Sequence, residues 1–398
     1  MAEALYETAD VFTGPDEGNS GYESPDNVSE IQNYAKSSTK ESKMKAKKHL
    51  DQMENVTLNI AVTGESGVGK STFVNAIRGL KDGEPGAAET GVTETTLRAV
   101  RYTHPTMPNV YIWDLPGIGT PNFKAKRYLK ELQFDNFDFF IIIGSNRFKE
   151  NDIMLAKEIQ KMKKTFYFVR SKVDNDIQAE SRKKNFNEEQ VLQKIKQSCR
   201  ENLAPVGHPK VFLISTFDLG KYDFNKLLES LKDNLSDHKW LALINSLPVC
   251  SVGMIEKKKK LLNNVAIAAA AAAAPSAGVF LPGFSVGCEI GIMLKFFQTA
   301  HVSFGLDDRS IHNLAERINK PEVQLKSAMK SHFVHGVSDS MVAAMFRTKG
   351  MTAAKTLETV FSGLPGMAIA FGTTLFLLRQ GIKEMAEDAK AVLAAADL

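Results

Sequence analysis

Cysteine is scarce in this chain: Cys199, Cys250 and Cys288 are the only three in 398 residues. They are odd in number and far apart, with no Cys-x-x-Cys pair. That argues against a disulfide or a thiolate metal site and for buried free thiols in a reducing cytosol. Excess charge is scarce too. The formal balance of +4 is too small to make the chain a general polyanion binder, so no nucleic-acid partner is expected. The N-terminus lacks a basic-then-apolar leader. A chain that opens Met-Ala rather than Met-Gly is not expected to be N-myristoylated. No repeat of fixed period is present. Lys and Arg are missing altogether from residues 1–30. That stretch holds eight acids (Glu3, Glu7, Asp10, Asp16, Glu17, Glu23, Asp26 and Glu30) among Gly, Ser, Pro and Asn. Such a composition reads as a disordered acidic tail.

What is present is a globular composition over a length that suits two domains plus a tail. Residues 31–54, with Lys36, Lys40, Lys43, Lys45, Lys47 and Lys48, read as a polar N-terminal helix. A solvated face is the expected use of these lysines, and contact with anionic lipid is the alternative. From 55 to 240 strand and helix patterns alternate. Strand candidates are 57–64, 96–103, 110–115, 139–144, 166–172 and 211–216, several of them continuously apolar as in a sheet covered on both faces. Helical patterns fall at 71–80, 150–164 and 187–203. The sum is a mostly parallel α/β sheet wrapped by helices, with ligands expected at the carboxyl ends of its strands.

From 241 to 398 the strand signals fade and an all-helical domain is expected. Two uncharged runs, 261–287 and 359–378, are long enough to raise the question of membrane insertion. Both are broken by Pro and Gly (Pro275, Gly278, Pro282 and Gly283; Gly363, Pro365, Gly366 and Gly372), and the first is rich in only mildly apolar alanine. Buried helical hairpins are therefore expected. The basic run Lys257–Lys260 beside the first of them suggests peripheral contact with a membrane surface.

Three short elements carry chemistry. GESGVGKS (64–71) follows a strand and opens a helix, as a phosphate-cradling loop requires. Its glycines let successive backbone N–H groups curl around a phosphate at a positive helix end. Gly64, Glu65, Gly67, Val68, Gly69, Lys70, Ser71 and Thr72 are the candidate nucleotide contacts. Lys70 would reach the β- and γ-phosphates, and the Ser71 hydroxyl would ligate Mg²⁺. DLPG (114–117) ends an apolar strand. Asp114 would hold Mg²⁺ through water, and Gly117 would offer its N–H to the γ-phosphate. SKVD (171–174) follows another apolar strand and resembles the [NT]-K-x-D element of GTPases, with Ser at its first place. Asp174 would accept from guanine N1–H and N2–H₂, a pair adenine lacks, so GTP is favoured over ATP. Lys172 would lie along the purine, and Ser215 is a further candidate beside the base. Between the first two elements, Thr90, Thr93, Thr95 and Thr96 in GAAETGVTETT are all available to close onto Mg²⁺ and the γ-phosphate. Spacing does not choose among them.

In this order, GESGVGKS, GAAETGVTETT, VYIWDLPGIGTPNF, FDFFIIIGSNRFKENDI, FYFVRSKVDND and IEKKKK resemble the immunity-related, or interferon-inducible, GTPases over residues 30–260. The resemblance implies a Ras-like GTPase domain flanked by an N-terminal helix and a C-terminal helical domain. It implies GTP/GDP and Mg²⁺ as cofactors and G domains that pair as homodimers or oligomers, with related GTPases as further partners. It also implies defence at pathogen-containing vacuoles, by a cytoplasmic protein partly associated with such membranes. By the same resemblance Thr90 and Thr96 are the switch threonines, Thr96 a Mg²⁺ ligand, and Glu94 a catalytic residue beside Lys70, which marks the GKS type. Ras-like enzymes orient water with a Gln just after D-x-x-G; Ile118 and Gly119 stand there here and cannot. A nucleotide-gated scaffold is the competing reading, and a P-loop ATPase or kinase is a third, against which Asp174 argues. His332 and His335 are expected in a paired surface or core role rather than as metal ligands.

Overall fold

The computed structural model describes residues 29–33, 40–91, 98–118, 125–207, 209–273, 286–360 and 366–398. A sheet organises the first half. Its strands are β1 (Leu58–Gly64), β2 (Val100–Thr103), β3 (Val110–Asp114), β4 (Phe139–Gly144), β5 (Thr165–Arg170) and β6 (Val211–Leu213). They lie in the order β2-β3-β1-β4-β5-β6, with only β2 antiparallel to its neighbour. The helices around them are α1 (Lys40–Asn55), α2 (Lys70–Ile77), α3 (Ala125–Glu131), α4 (Glu150–Lys161), α5 (Val173–Glu180), α6 (Glu188–Asn202), α7 (Phe224–Lys232) and α8 (Asp237–Ser246).

The run FFIIIG shows why this sequence makes a central strand. Side chains alternate between the faces of a strand. Phe139, Ile141 and Ile143 enter the core shared with α2, α7 and α8, beside Phe73, Leu228 and Ile244. Phe140 and Ile142 enter the opposite core with Leu129, Leu155 and Ile159 of α3 and α4. With both faces covered, an uninterrupted apolar run is required. Phe134 and Phe140 stack with ring centroids 3.7 Å apart, filling that second layer.

The second half is helical: α9 (Val252–Ala273), α10 (Val286–Ser303), α11 (Asp308–Ile318), α12 (Glu322–Ala328), α13 (Asp339–Met345), α14 (Met351–Val360) and the long α15 (Gly366–Ala395). One turn of π-helix, Phe346–Gly350, joins α13 to α14. The alanine run is a packing surface. Ala266, Ala269 and Ala270 are buried in one core with Leu378, Ile382 and Met385 of α15. Small residues let helices close up: a Cβ on Gly381 would meet the Phe297 ring at 2.3 Å. Among the described residues no helix is long and apolar enough to cross a membrane, and the described parts of both uncharged runs are largely buried in protein.

Several expectations shift. Glu30, assigned by composition to the acidic tail, falls in the helical turn 29–33 and pairs with Arg379 at 2.9 Å, while Ile31 enters the helical core. The strand expected over 166–172 stops at Arg170, and that over 211–216 stops at Leu213. The run Lys257–Lys260 is not a solvated basic cluster, because consecutive residues of a helix face different ways. Lys258 is 0% exposed. Its Nζ donates to Leu247 O at 2.8 Å and Asn245 O at 3.3 Å. Burial pushes its pKa down to about 7. Lys257 pairs with Glu229 at 3.5 Å, and Lys260 alone of the four is exposed. His332 lies at the surface with Nδ1 3.0 Å from Glu384.

Candidate functional site

Gly64 ends β1 at φ +143, and a Cβ there would lie 2.1 Å from Ile143 O. Only glycine lets the loop leave the sheet so close to β4. Gly67 and Gly69 have φ +75 and +94, the left-handed region that β-carbons disfavour. Gly69 is also the N-cap of α2. A left-handed loop running into a helix N-terminus presents backbone N–H groups and positive potential to an anion. Val68 is buried under the loop, and Thr72 is half-buried on the first turn of α2.

Lys70 is buried and its Nζ donates to Glu65 O at 2.9 Å, which folds its charge over the loop. Ser71 Oγ donates to Asp114 Oδ2 at 2.5 Å. The segment after β3 is fastened to β1, with Leu115 N donating to Val62 O at 2.9 Å and Ile118 N to Gly64 O at 3.3 Å. Gly117 lies within this fastened segment, half-buried.

The loop after β5 comes to the same place. Ser171 Oγ donates to Val68 O at 2.6 Å, so the serine at the head of SKVD ties this loop to the phosphate loop. Lys172 sits at φ +57 as the N-cap of α5, and its Nζ reaches Gly67 O at 2.7 Å. A lysine held left-handed is strained, as is common where a side chain must be aimed at a ligand. Asp174 Oδ1 is buried without a hydrogen-bond partner among the described residues. Ser215 is buried in the turn after β6. The structure thus gathers the loops carrying Lys70, Ser71, Asp114, Lys172 and Asp174. Thr90 is exposed on its own loop. Thr93, Glu94, Thr95, Thr96 and Gly119 lie outside the described residues.

Sequence reading missed the N-terminus of α4. Lys149 pairs with Glu65 at 2.5 Å, and Asn151 Nδ2 donates to Ile118 O at 2.5 Å. Asp152 is buried and accepts from Lys149 N at 2.8 Å. Burial, against that backbone N–H and with Glu65 adding its charge, pushes the Asp152 carboxyl up to about 7. The signal lay in FKENDI, an acid three residues into a helix, but only the fold places that turn against the phosphate loop. The ion pair of Arg170 with Asp176, at 2.6 Å, was equally silent.

These residues fit a guanine nucleotide with Mg²⁺. The orphaned Asp174 oxygen awaits a donor such as the purine N1–H. Ser71 and Asp114 offer hard oxygens to a hard cation, and the loop offers N–H groups to phosphate. Bound there, Mg²⁺ would neutralise phosphate charge as the γ-phosphoryl leaves.

The family model of the interferon-inducible GTPases matches residues 24–396. Interferon-gamma-inducible GTPase 10 of Mus musculus is 38% identical over 352 residues, 86% of this chain and 82% of that protein. Interferon-inducible GTPase 5 of Rattus norvegicus is 37% identical over 349 residues, 85% of this chain and 75% of that protein. Interferon-inducible GTPase 1 of Mus musculus is 40% identical over 298 residues, 73% of this chain and 71% of that protein. With its glycine loop on β1, its Ser71–Asp114 pair and a mostly parallel six-stranded sheet, the chain belongs to the interferon-inducible GTPase family.

Proposed function

We propose that this GTPase cleaves GTP when two copies pair across their nucleotide faces, and that it self-assembles in the GTP state. It acts in cell-autonomous defence at the membranes of pathogen-containing vacuoles. The observation that carries this reading is Ile118. It occupies the place where Ras-like enzymes orient the attacking water, yet it is 0% exposed. Its N–H is bound to Gly64 O and its carbonyl to Asn151. A side chain locked into the core cannot align water. A second copy supplies what the lone copy lacks, with Glu94 the residue assigned to that task. Thr90 and Thr96 would contact the γ-phosphate, Thr96 would also ligate Mg²⁺, and Lys70 would stabilise the phosphoryl oxygens.

The protein is cytoplasmic, with a fraction held peripherally on intracellular or vacuolar membranes and related GTPases among its partners. Lys45, Lys47 and Lys48 on α1 are exposed and supply charge for anionic lipid. The test is GTP turnover per molecule across a wide dilution series. Specific activity is expected to rise with concentration, vanish in Lys70→Ala and fall sharply in Glu94→Ala. A flat specific activity overturns the paired mechanism. Membrane recruitment unchanged in Glu94→Ala would favour a nucleotide-gated scaffold.

A further inference from the structure

A cavity of about 420 Å³ opens beside the C-terminal end of α2, between the GTPase fold and the helical domain, with Thr72 and Thr216 also in its wall. That volume is in the range of small-molecule sites, about 300–1,000 Å³. Its walls carry four cations, Arg78, Lys81, Arg309 and Arg317, against one carboxylate, Asp82. The carboxylate is occupied by Asn75 Nδ2 at 2.8 Å, and Lys81 faces Glu316 at 3.7 Å. Neither Arg309 nor Arg317 has an ion pair among the described residues.

Arg78 is the deepest of the four, 6% exposed at the C-cap of α2. Its Nη2 donates to Thr103 O at 3.1 Å, and its guanidinium lies over the Tyr102 ring at 5.0 Å. Its Nε and Nη1 have no acceptor among the described residues. Burial, partly offset by Tyr102, and the nearby charge of Arg309 hold its pKa below the ordinary arginine value. A buried guanidinium with two idle donors and a like charge beside it is costly unless an anion joins it.

The wall formed by α11 has a period. Arg309, Asn313 and Arg317 recur every fourth residue, which places them along one face of a helix. Eight residues span roughly 12 Å at about 1.5 Å rise, too far for one phosphate to bridge. Asn313 Nδ2 holds the middle of this row to Gly79 O at 2.7 Å.

We propose that this cavity is a second anion site, built for a small molecule or headgroup bearing more than one phosphate ester. One phosphate sits between Arg78 and Arg309, and another reaches Arg317. Guanidinium groups are suited to this because their paired N–H donors match phosphate oxygens. α2 then joins the two sites, with Lys70 and Ser71 at one end and Arg78 at the other.

The test uses the full chain saturated with GDP and Mg²⁺, so that the glycine loop is already filled. Inositol hexakisphosphate is titrated by calorimetry at fixed salt and fixed free Mg²⁺. One saturable site is expected. Arg78 is buried and its variants endanger folding, so the exposed pair Arg309→Glu/Arg317→Glu carries the test. It is expected to lose at least tenfold in affinity while GDP affinity is unchanged. Lys183→Glu/Lys194→Glu, with the same change in net charge elsewhere, is expected to bind as the parent does. No binding by the parent, equal binding by the Arg309/Arg317 variant, or equal loss in the control pair overturns the proposal. Flotation with vesicles containing phosphatidylinositol bisphosphate separates the sources. Variant-sensitive flotation assigns a lipid headgroup, and free-ligand binding without flotation assigns a soluble phosphate ester.

Discussion

Ser71 Oγ, on the first turn of α2, donates a 2.5 Å hydrogen bond to Asp114 Oδ2 at the end of β3. It joins the first turn of the helix after the glycine loop to the end of the strand that carries D-x-x-G. Two oxygens so held are set for one hard cation and its water.

Ser71→Ala is therefore expected to weaken GDP binding in Mg²⁺ by roughly 10–100-fold, the usual cost of disturbing a metal's supporting groups. Asp114→Ala should act in the same direction. In excess chelator the Ser71→Ala difference should shrink to about twofold, since only the metal-dependent part has gone. Fluorescent-nucleotide titrations with and without Mg²⁺ check this. An equal loss in both conditions would place Ser71 outside the metal shell.

Asp174 Oδ1 is buried and without a donor among the described residues, so, if Asp174 reads the base, one lacking N–H groups on that edge leaves a desolvated carboxylate unpaired. Asp174→Asn should lower GTP affinity by about tenfold to a hundredfold, for a charged hydrogen bond of about 1.5–3 kcal/mol. The same variant should gain affinity for xanthosine triphosphate, whose C2 carbonyl accepts from the new amide. Competition between the two nucleotides reads both effects, and an unchanged preference for GTP would sink the assignment.

Much of this site was legible because its residues fall in short contiguous runs. β4 could be read from FFIIIG since both faces of a central strand must be apolar. Other features depended on distant partners. α3 and α5 span seven and eight residues, too short for a clear helical period. β5 ends early because the Arg170 guanidinium turns inward to Asp176 and Asn146 O, which its apolar run does not announce. That β2 is antiparallel follows from the short Thr103-to-Val110 connection, since parallel strands need a crossover of a dozen or more residues. Lys258 was hidden by its neighbours: four lysines in a row look solvated until the helix turns one inward.

Gly64→Ala is expected to damage the fold itself. Its Cβ would meet a backbone oxygen, Ile143 O, at 2.1 Å, and backbone cannot move aside cheaply. The cost should be on the order of 4 kcal/mol or more, in the range reserved for core disruption. Gly67→Ala is the contrast. Nothing among the described residues lies within 4 Å of its Cβ, so it pays only the left-handed strain of about 1–2 kcal/mol. Gly67→Ala should give soluble protein with weakened nucleotide binding, while Gly64→Ala should unfold many degrees earlier or fail to accumulate. Thermal unfolding of the two without nucleotide decides, and equal melting temperatures would refute the argument.

Lys258 gives a pH dependence with a definite sign. Its folded pKa is lowered to about 7 from an ordinary 10.5. Between those values the unfolded chain binds a proton that the folded chain does not, so stability rises with pH across that window. The full effect is on the order of 5 kcal/mol for a shift of this size. Lys258→Met keeps an unbranched side chain one atom shorter and removes the titration, while leaving Leu247 O and Asn245 O without this donor. The melting temperature of the parent minus that of the variant should therefore grow steadily from pH 6.5 to pH 9.5. Cys250 lies close enough to feel the Lys258 charge, so both proteins should carry Cys250→Ala to keep its thiol out of the comparison. A difference that stays constant over that range would mean Lys258 keeps its proton in the folded protein, satisfied by the carbonyls of Asn245 and Leu247.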